Sequence, residues 1–589
     1  EMKDGQIPNV TGGDIGETMG MIAAVEEKWI PRVVENQSLA VDAICGATAS
    51  SNGVRAAVVN ALESAGMDVS GLYTPIAKVD AAEEYNVDIV VVGMGSSGTT
   101  AALAAAESGA NVLAIDKAGK WGGTGATTSG PANVNAPSQV ASEIVDWKDP
   151  INGVHTKAAG EKLVDADALY ATWTDYTTVD GAQGAKPELI AKVIYESGET
   201  CDWLQSYGFE FTPAVGFVGG KWAIFSSYVG QKQLTESFFA KAYDRYTEMG
   251  GQYLLETEAT ELIMQDGKAV GVRATKADGT SVTINAKAVI LCTGGFAGSD
   301  AMQEKYIGQA YKLFGMSTND GKMIESAIEN GAATRAIGMY PMSHFVAPTV
   351  ITTQFSAADN DIPYGLVCTA EGMAVNMKGE RFINESSIAM NAFYQGNRFY
   401  YVYSKEQIDI LREQGLSANA SGRYLTQGGI KADVPLTNID TVIDAGIEAG
   451  FIYKASSLDE LAAQIGGDFS ADALKASVAG YNPENDAFGK DASKFERLGT
   501  VAADSEYFVA FTGAPYIYST CGGLDVNENL QVLDTNGNVI PGLFACGTDS
   551  MGVLFNEDKA YTNYGGCAQS YCFVSGRDAG AYAAAHLED

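Results

Sequence analysis

Several features that are common in other protein classes are missing from this sequence. Its eight cysteines are scattered, and no CxxC or CxxCH pattern occurs. We therefore expect no zinc site, no iron–sulfur cluster and no attached haem. No apolar run reaches the ~18 residues that a membrane helix needs, and no signal peptide is visible. Histidine occurs only at His155, His344 and His586.

Positive charge is also scarce in this chain. Lysine and arginine total 38 against 73 aspartate and glutamate residues, which gives a formal net charge of −35. A field of this sign repels nucleic acid and anionic lipid, so we expect neither as a partner. An anionic small-molecule substrate would need positive charge concentrated at its binding site.

The chain is long and rich in glycine. Its 589 residues exceed what one hydrophobic core usually serves, so we expect two or three domains. Glycine occurs 67 times and proline only 15 times, a balance that suits tight turns and close approach of the backbone to a ligand. Because Glu1 opens inside what resembles a domain, we expect that sequence upstream of it is missing.

A dinucleotide-binding motif follows the apolar run Val87–Val92. In Gly93-Met-Gly-Ser-Ser-Gly98, the first glycine allows a sharp turn, Gly95 allows the backbone to approach a pyrophosphate, and Gly98 allows the helix to pack on the strand. A second predicted strand, Asn111–Ile115, ends at Asp116, about 20 residues further on, where an acid can hold a ribose hydroxyl. The motif therefore predicts a Rossmann-type βαβ unit.

Two distant segments end in the same way and favour FAD over NAD. The buried strand in LCTGGFAGS (291–299) ends in Thr293-Gly294-Gly295, and PGLFACGTDS (541–550) ends in Gly547 and Asp549. Three glycine-lined strand ends indicate a long cofactor that crosses the domain. We expect Asp549 to hold a ribityl hydroxyl of that cofactor.

The predicted fold class is α/β, with a Rossmann-type domain interrupted by an α+β cap. The boundaries are a first small unit at 1–72, a linker at 73–86, the nucleotide-binding domain at 87–338 and 519–589, and the cap at 339–518. The turns QDGK and ADGT predict hairpins within the first part of the nucleotide-binding domain.

The motifs together resemble the fumarate reductase/3-ketosteroid dehydrogenase superfamily of flavoproteins over roughly residues 84–589. The resemblance rests on GMGSSG with Asp116, GKWGGTGATTSGPANVN (119–135), AVILCTGGFAG and GNVIPGLFACGTDSMG. Further cofactor contacts implied by it or by proximity to these motifs are Ser97, Lys117, Gly123, Thr124, Thr128, Ser129, Gly130, Ala259, Gly566, Ala568 and Gln569. No histidine occurs in 122–135, where some members attach FAD, so we expect noncovalent FAD.

The N-terminal unit resembles the second half of an FMN-binding domain. Asp42-Ala-Ile-Cys-Gly-Ala-Thr48 is similar to the motif in which a threonine hydroxyl is joined to the FMN phosphate, although Cys45 stands where Ser or Thr is usual. The resemblance implies covalent FMN on Thr48, and the alternative is a threonine in a helix-capping turn. FMN would pass electrons to FAD from an external donor, either quinol-linked or a flavoprotein.

The carboxylate-binding set of fumarate reductases is mostly replaced here. The segment 371–387 matches the family and includes Arg381, but the positions expected to bind substrate hold Ala389, Asn563, Ser519 and Tyr364-Gly365, and only His344 has a counterpart. A buried dicarboxylate without cations would be strongly destabilised. Tyrosines are abundant instead, and phenols can polarise a carbonyl or donate a proton. The candidate catalytic residues are Tyr364, Tyr516, Tyr518, Tyr564 and His344, with Tyr340 and Tyr561 as further phenols.

We therefore expect an ene-reductase in which reduced FAD delivers hydride to the β-carbon of a bulky, neutral, ketosteroid-like enone. Tyr518 or Tyr364 would supply the proton. The alternatives are an aryl-acrylate reductase of the urocanate or cinnamate type, for which Arg335 or Arg398 would bind the carboxylate, a ketosteroid dehydrogenase, and an electron-transfer subunit. We expect a secreted or membrane-tethered protein of an anaerobic bacterium, with the cytoplasm as the alternative.

Overall fold

The computed structural model describes residues 19–217, 220–230, 232–349, 357–420, 431–559, 561 and 564–588. The chain forms two compact units. The first, called here the nucleotide unit, comprises Glu1–Met302, Gly315–Met339 and Ser519–Asp589. The second, the cap unit, comprises Gln303–Phe314 and Tyr340–Tyr518. The domain boundaries given from the sequence stay a prediction.

The nucleotide unit is built around an eight-stranded sheet. In spatial order six strands are Thr257–Gln265, Lys268–Lys276, Ser281–Leu291, Ala82–Val92, Val112–Ile115 and Gln252–Leu254; Val539–Ala545 pairs with Ser281–Leu291, and Gln531–Leu533 pairs with Val539–Ala545. Five of these strands run parallel from Val539–Ala545 to Gln252–Leu254. Continuous apolar runs such as Ile89–Val92 are buried, as expected for parallel strands covered on both faces.

Helices and small two-stranded sheets surround this sheet. The helices are Met19–Ala24, Ile30–Asn36, Thr48–Ser64, Ser96–Glu107, Pro137–Ala141, Ala166–Tyr176, Pro187–Ser206, Lys232–Glu248, Asp300–Ile307, Lys322–Glu329 and Cys567–Ala585, with a π-helical turn at Val25–Trp29 and 3₁₀ turns at Ser70–Leu72, Gly123–Thr127 and Gly547–Leu554. The small sheets pair Ile144–Asp149 with Gly153–Lys157, Thr178–Val179 with Ala182–Gln183, Val215–Phe217 with Gly220–Phe225, and Thr334–Arg335 with Gly523–Leu524.

Both predicted Asp-Gly hairpins are present. The strands Thr257–Gln265 and Lys268–Lys276 are antiparallel, as are Lys268–Lys276 and Ser281–Leu291. Asp266 and Gly267 have φ values of 51° and 81°, as a two-residue turn with left-handed backbone requires. The first strand of the βαβ unit begins at Ala82, five residues before its predicted start, because Ala82–Asn86 pairs with Ser281–Asn285.

One small hairpin contains two buried charged groups. The Lys157 ammonium donates hydrogen bonds to the carbonyls of Val140 (3.2 Å), Ser142 (2.6 Å) and Ala158 (3.0 Å). The buried Asp149 carboxylate contacts His155 Nε2 at 2.5 Å. Burial raises the pKa of Asp149, but hydrogen bonds from the backbone of Asn152 and Gly216 outweigh it and hold this pKa well below its usual value. Both groups therefore hold the hairpin by satisfied polar contacts.

The cap unit has its own six-stranded sheet. Its strands are Lys312–Leu313, Met342–Pro348, Met373–Val375, Phe399–Ser404, Ile452–Ala455 and Phe508–Ser519, and its helices are Ala357–Leu366, Ile388–Asn391, Lys405–Gln414, Ile439–Glu448, Leu458–Ile465 and Ala471–Gly480, with 3₁₀ turns at Glu385–Ser387, Ala392–Gln395 and Ala492–Phe495. Alternate residues of Phe399–Ser404 enter two different cores: Tyr401 and Tyr403 enter one, Tyr400 and Val402 the other. Period-two alternation thus buries the sheet on both faces. The predicted α/β fold with an α+β cap is confirmed.

Candidate flavin and substrate site

The glycine-ended strands lie side by side in the nucleotide unit. Ser281–Leu291 pairs in parallel with both Ala82–Val92 and Val539–Ala545. Since these strands run in one direction, their carboxyl ends meet at one edge, where parallel α/β sheets bind ligands. The structure therefore brings together the three motifs that the sequence places far apart.

The three glycines of the first motif have different surroundings. Gly93 has φ of 102°, and a Cβ added there would lie 2.2 Å from the Cys292 carbonyl oxygen. A Cβ at Gly98 would lie 1.8 Å from the Gly93 carbonyl oxygen. At Gly95 the nearest atom would be 3.9 Å away. Gly93 and Gly98 are thus closed by protein, whereas Gly95 faces open space at the start of the helix Ser96–Glu107, which fits a phosphate group.

Asp116 completes this motif at the end of the neighbouring strand. Its carboxylate accepts hydrogen bonds from the backbone N–H of Met94 and of Ala118, both at 2.7 Å. Burial raises the pKa of Asp116. The adjacent Lys117 forms an ion pair with Asp320 at 2.7 Å. These contacts fix the acid beside the glycine turn, and its contact with a ribose hydroxyl stays a prediction.

Asp549 links the second and third glycine-ended strands. It is fully buried and accepts hydrogen bonds from Thr293 N at 2.5 Å, Thr293 Oγ1 at 2.9 Å and Gly295 N at 2.7 Å. Burial raises its pKa to about 6. The structure therefore gives Asp549 protein partners that shape the Thr293–Gly295 turn, and its predicted ribityl contact stays a prediction.

Gln569, a predicted cofactor contact, lies in a polar cluster with Ser96 and Tyr228, two residues that sequence reasoning missed. The Gln569 amide donates hydrogen bonds to Ser96 Oγ at 2.7 Å and to the Tyr228 hydroxyl at 3.0 Å. Tyr228 is fully buried, and burial raises its pKa. Ser96 could have been suspected from its place inside the glycine motif, but no pattern marks Tyr228. The cluster joins the start of the helix Ser96–Glu107 to the start of the helix Cys567–Ala585.

The other predicted cofactor contacts belong to the same unit. Gly123 and Thr124 form the start of a 3₁₀ turn, and a Cβ at Gly123 would lie 3.2 Å from Gly95 Cα. Placed elsewhere in the unit are Ser97 and Ala259, which are buried, Thr128, Ser129 and Gly130, which follow the 3₁₀ turn, Gly294 between Thr293 and Gly295, Gly547 after the last sheet strand, and Gly566 and Ala568 at the start of the helix Cys567–Ala585. Their contacts with FAD stay predictions.

Thr48 is exposed and begins the helix Thr48–Ser64. Gly46, two residues earlier, has φ of 84°, so the preceding loop turns sharply and presents Thr48 at the surface. An exposed position suits attachment of a bulky group. Covalent FMN at Thr48 stays a prediction.

Two candidate phenols, Tyr561 and Tyr564, belong to the nucleotide unit and precede the Gly566–Gln569 segment. The Tyr561 hydroxyl lies 3.2 Å from Cys567 Sγ, and burial raises its pKa well above the usual value. The Tyr564 ring packs against Trp173 with 5.0 Å between ring centroids, and burial raises its pKa to about 12. Any catalytic role of these two phenols stays a prediction.

The remaining catalytic candidates belong to the cap unit. Tyr516 donates a hydrogen bond to the Pro348 carbonyl at 2.8 Å, and burial raises its pKa. The Tyr518 ring packs edge-on against Phe314 at 5.1 Å, and Tyr364 packs partly buried against a cap core. His344 lies on the strand Met342–Pro348, but its side chain lies outside the described residues. Their catalytic roles stay predictions.

Arg381 is engaged inside the cap unit. Its guanidinium donates two hydrogen bonds of 2.9 Å to the buried Glu385 carboxylate and a further one to Asp486. The buried Lys490 ammonium lies 3.4 Å from the same Glu385 and donates to the Tyr481 hydroxyl. Burial lowers the pKa of Lys490 to about 8. This cluster is an ion network within the cap. Sequence analysis identified only the segment 371–387 that contains Arg381, and none of its partners outside that segment.

The two arginines considered for carboxylate binding have other partners. Arg335 donates a hydrogen bond of 2.6 Å to the Gly184 carbonyl and lies 3.9 Å from Asp525. Arg398, in the cap unit, is exposed. Burial raises the pKa of Tyr400 and outweighs the hydrogen bond and the charge of Arg398, which lower it. Ala389, at the position where the resemblance places the acid arginine, is buried in the short helix Ile388–Asn391.

Comparisons with known proteins agree with this geometry. Residues 88–557 match the FAD binding domain family, and residues 2–63 match the FMN-binding domain family. The chain is 27% identical to the NADH:acrylate oxidoreductase of Vibrio harveyi over 96% of its length, although it spans only 57% of that protein. It is 29% identical to the vinyl phenol reductase of Lactiplantibacillus plantarum, covering 85% of this chain and 97% of the relative.

Two further proteins complete the comparison. The urocanate reductase of Eggerthella lenta is 27% identical, with 94% of this chain and 84% of the relative covered. The open conformation of a flavocytochrome c3 fumarate reductase superposes with a TM-score of 0.55 at 22% identity, covering 90% of this chain and 81% of that one. The superposition shows a shared fold. The family matches confirm the predicted superfamily and the cofactors FAD and FMN.

Among the described residues, none of the helices combines the length and the apolar character needed to cross a lipid bilayer.

The open space at Gly95 and the polar groups around the strand ends fit a bound dinucleotide. The chain therefore belongs to the FAD binding domain family and is a flavin-dependent oxidoreductase with a match to the FMN-binding domain at its N-terminal end.

Proposed function

We propose that this protein reduces a conjugated carbon–carbon double bond in a bulky, neutral substrate, an enone of the ketosteroid type. The named relatives support the bond type, since acrylate, vinyl phenols and urocanate all contain a conjugated carbon–carbon double bond. Bound FAD, once reduced, would supply the hydride. The side chains of this chain would bind and polarise the substrate, exclude water and donate the proton.

The neutrality of the substrate rests on one observation. The position expected for the proton-donating arginine holds Ala389, which is only 6% exposed. Arg381, which precedes Ala389 in the same segment of the chain, is already bound to Glu385 and Asp486. A carboxylate brought to such a position would lose its hydration without gaining a counter-charge, which is strongly unfavourable.

Tyrosine would take over the work of the missing arginine. A phenol with a raised pKa, such as Tyr564, stays protonated and can donate a hydrogen bond to a carbonyl oxygen on which negative charge develops. Tyr518 or Tyr364 would then give its proton to the α-carbon and regain one from solvent. The phenol rings also offer flat apolar surfaces for a ring-bearing substrate.

A vinyl phenol is the second candidate substrate. It is neutral and aromatic, and the vinyl phenol reductase relative is matched over 97% of its length. The aryl-acrylate alternative is less favoured because Arg335 already contacts Gly184 and Asp525. With a ketosteroid, a reductase would saturate the ring double bond, whereas a dehydrogenase would introduce it.

One anaerobic experiment ranks these candidates. The protein is reduced with dithionite, and flavin reoxidation is followed with a ketosteroid enone, a vinyl phenol, urocanate, acrylate and fumarate. We expect the two neutral acceptors to reoxidise the flavin faster than the three carboxylates. Faster reoxidation by fumarate or acrylate would refute the neutral-substrate proposal, and reoxidation by a protein acceptor alone would favour an electron-transfer subunit.

The proton donor is tested by removing single hydroxyl groups. Tyr518→Phe and Tyr364→Phe are compared with Tyr195→Phe, whose phenol is exposed and bonded to Asp167. At least one of the first two should lower turnover by about two orders of magnitude or more, while flavin content and the control stay unchanged. Full activity in both would show that neither tyrosine donates the proton.

Electrons would reach FAD from FMN on Thr48, supplied by a quinol-linked or flavoprotein donor outside the cytoplasm. The FMN-binding match at residues 2–63 contains Thr48. Intact-mass measurement of the purified protein should show a covalently bound flavin that Thr48→Val abolishes and Thr11→Val leaves in place. Retention of covalent flavin in the Thr48→Val variant would exclude this attachment site.

A further inference from the structure

The N-terminal segment contacts the loop that follows Asp116 within the nucleotide unit. Lys28 Nζ donates a hydrogen bond to the Gly119 carbonyl at 2.5 Å. The Gly119 N–H in turn donates to the Cys45 carbonyl at 3.1 Å. Cys45 belongs to the motif that ends at Thr48. The backbone of the FMN-attachment motif is therefore joined directly to the backbone of the predicted FAD site.

The two loops approach each other closely, and a glycine lies on each side of the contact. A Cβ at Gly119 would lie 2.4 Å from Ile44 Cγ2. A Cβ at Gly46 would lie 2.7 Å from Met316 Cε and 3.4 Å from the Ala118 Cβ. Gly46 also has φ of 84°, which side-chain-bearing residues rarely adopt. The fit is thus specific to this pair of loops.

An ion pair stands beside this close approach. Both terminal nitrogens of Arg32 donate to the Glu256 carboxylate, at 2.8 and 2.6 Å, and Lys28 lies 3.5 Å from it. The Glu256 side chain is only 14% exposed. Burial raises the pKa of Glu256, but its bond to Arg32 and the charge of Lys28 outweigh burial and lower it. The Glu256 N–H donates to the Ala118 carbonyl at 2.9 Å, so the pair is tied to the same loop.

We propose that Lys28 and Arg32, on one side, and Glu256 with the loop 117–121, on the other, form an ionic docking interface for the FMN-attachment loop. Two cations of the N-terminal segment meet a carboxylate in a chain with a net charge of −35, and a bidentate arginine–carboxylate pair fixes orientation as well as distance. The interface holds the loop that leads to Thr48 against the segment that follows Asp116. The placement of FMN there rests on the proposed function, whereas the docking does not.

The Gly119 amide reports directly on this docking. Hydrogen exchange is measured by mass spectrometry, with fragmentation that resolves Gly119, on the full chain and on Arg32→Gln and Glu256→Gln. Loss of a charge-assisted bidentate contact should speed exchange at Gly119 by about tenfold or more. Raising the salt concentration to ~1 M should speed exchange in the wild type and have less effect in the variants.

The control is a matched ion pair outside the interface. Glu261→Gln removes the exposed pair with Arg273, which lies 2.6 Å away, and should leave Gly119 exchange unchanged. In a Lys28→Gln background, which removes the second cation beside Glu256, the charge swap Arg32→Glu with Glu256→Arg should give slower exchange at Gly119 than either single change, which a general loss of folding could not produce. Turnover with dithionite as the electron source tests the proposed function separately and should not change in any of these variants.

Unchanged exchange at Gly119 in both Arg32→Gln and Glu256→Gln would overturn the proposal. Equally fast exchange in the Glu261→Gln control, or in the helix Ser96–Glu107 of the variants, would overturn it as well, because the effect would then not be local to the interface. A swap variant that exchanges as fast as the single variants would show that charge complementarity does not hold the loop.

Discussion

Alanine at Gly95 separates the two roles that glycine has in the dinucleotide-binding turn. Gly95 has φ of −79° and ψ of −159°, an extended backbone that any residue adopts. The nearest atom to an added Cβ would be the Gly122 carbonyl oxygen at 3.9 Å. The apoprotein should therefore accept Gly95→Ala without loss of stability, and reduced freedom of the unfolded chain should stabilise it by about 0.5 kcal/mol.

Flavin binding should respond very differently to the same methyl group. The Cβ would occupy the open space in which a pyrophosphate approaches the start of the helix Ser96–Glu107. Displacing the phosphate from one or two backbone N–H groups costs about 3 kcal/mol, which corresponds to roughly a hundredfold loss of FAD affinity. Fluorescence titration of the apoprotein with FAD gives this affinity, and thermal unfolding without FAD gives the stability.

Two further alanine variants calibrate this result. At Gly98 the added Cβ would lie 1.8 Å from a backbone oxygen, so the apoprotein itself should lose more than about 3 kcal/mol. At Gly71 no atom lies within 4 Å, and neither property should change. Destabilised Gly95→Ala apoprotein, or FAD affinity within threefold of the wild type, would refute the division of roles among these glycines.

Three other predictions concern stability. Lys157→Met should lower the unfolding free energy by about 3 kcal/mol because three carbonyl oxygens lose the buried ammonium that donates to them, whereas Lys162→Met at an exposed position should not; equal thermal midpoints would contradict this. Arg381→Met should destabilise the cap unit by about 3–5 kcal/mol in urea unfolding, since it takes the arginine from the buried Asp486 and leaves Glu385 with Lys490 alone, and an unchanged midpoint would be evidence against the ion network. The lowered pKa of Asp149 stabilises the fold above the unfolded-state pKa of about 4, and this contribution is lost as the pH falls, so Asp149→Asn should flatten acid unfolding; an identical acid transition would exclude it.

Local patterns explain why the sheet edge at which the three glycine-ended strands meet could be predicted from the sequence. An apolar run followed directly by glycine occurs at Val87–Gly93, at Val289–Gly294 and at Leu543–Gly547. Each run predicts a buried parallel strand with a close ligand approach at its end. All three strands are present, and the sheet places them next to one another. The spacing of Asp116 from the glycine motif identified the fourth strand end in the same way.

Contacts between residues that are distant in sequence could not be predicted. The segment Ala82–Asn86 contains no apolar run, and it becomes a strand because it pairs with Ser281–Asn285. Arg381 meets Asp486, 105 residues later, only in the folded cap. Tyr228 reaches Gln569 across 341 residues. In each case a tertiary partner decides the conformation, and no local periodicity encodes it.

The order of strands in the nucleotide unit has a consequence for biosynthesis. The strand Ser281–Leu291 has one parallel neighbour at Ala82–Val92 and the other at Val539–Ala545. The helix Cys567–Ala585 then closes against Ser96–Glu107, where a Cβ at Gly576 or Gly580 would strike the backbone of Ser97 or Ala101 at 2.2 Å. A nascent chain that stops before residue 539 therefore lacks one of the three glycine-ended strands. Cofactor uptake must follow translation of the final helix, and loss of that helix should leave a colourless protein.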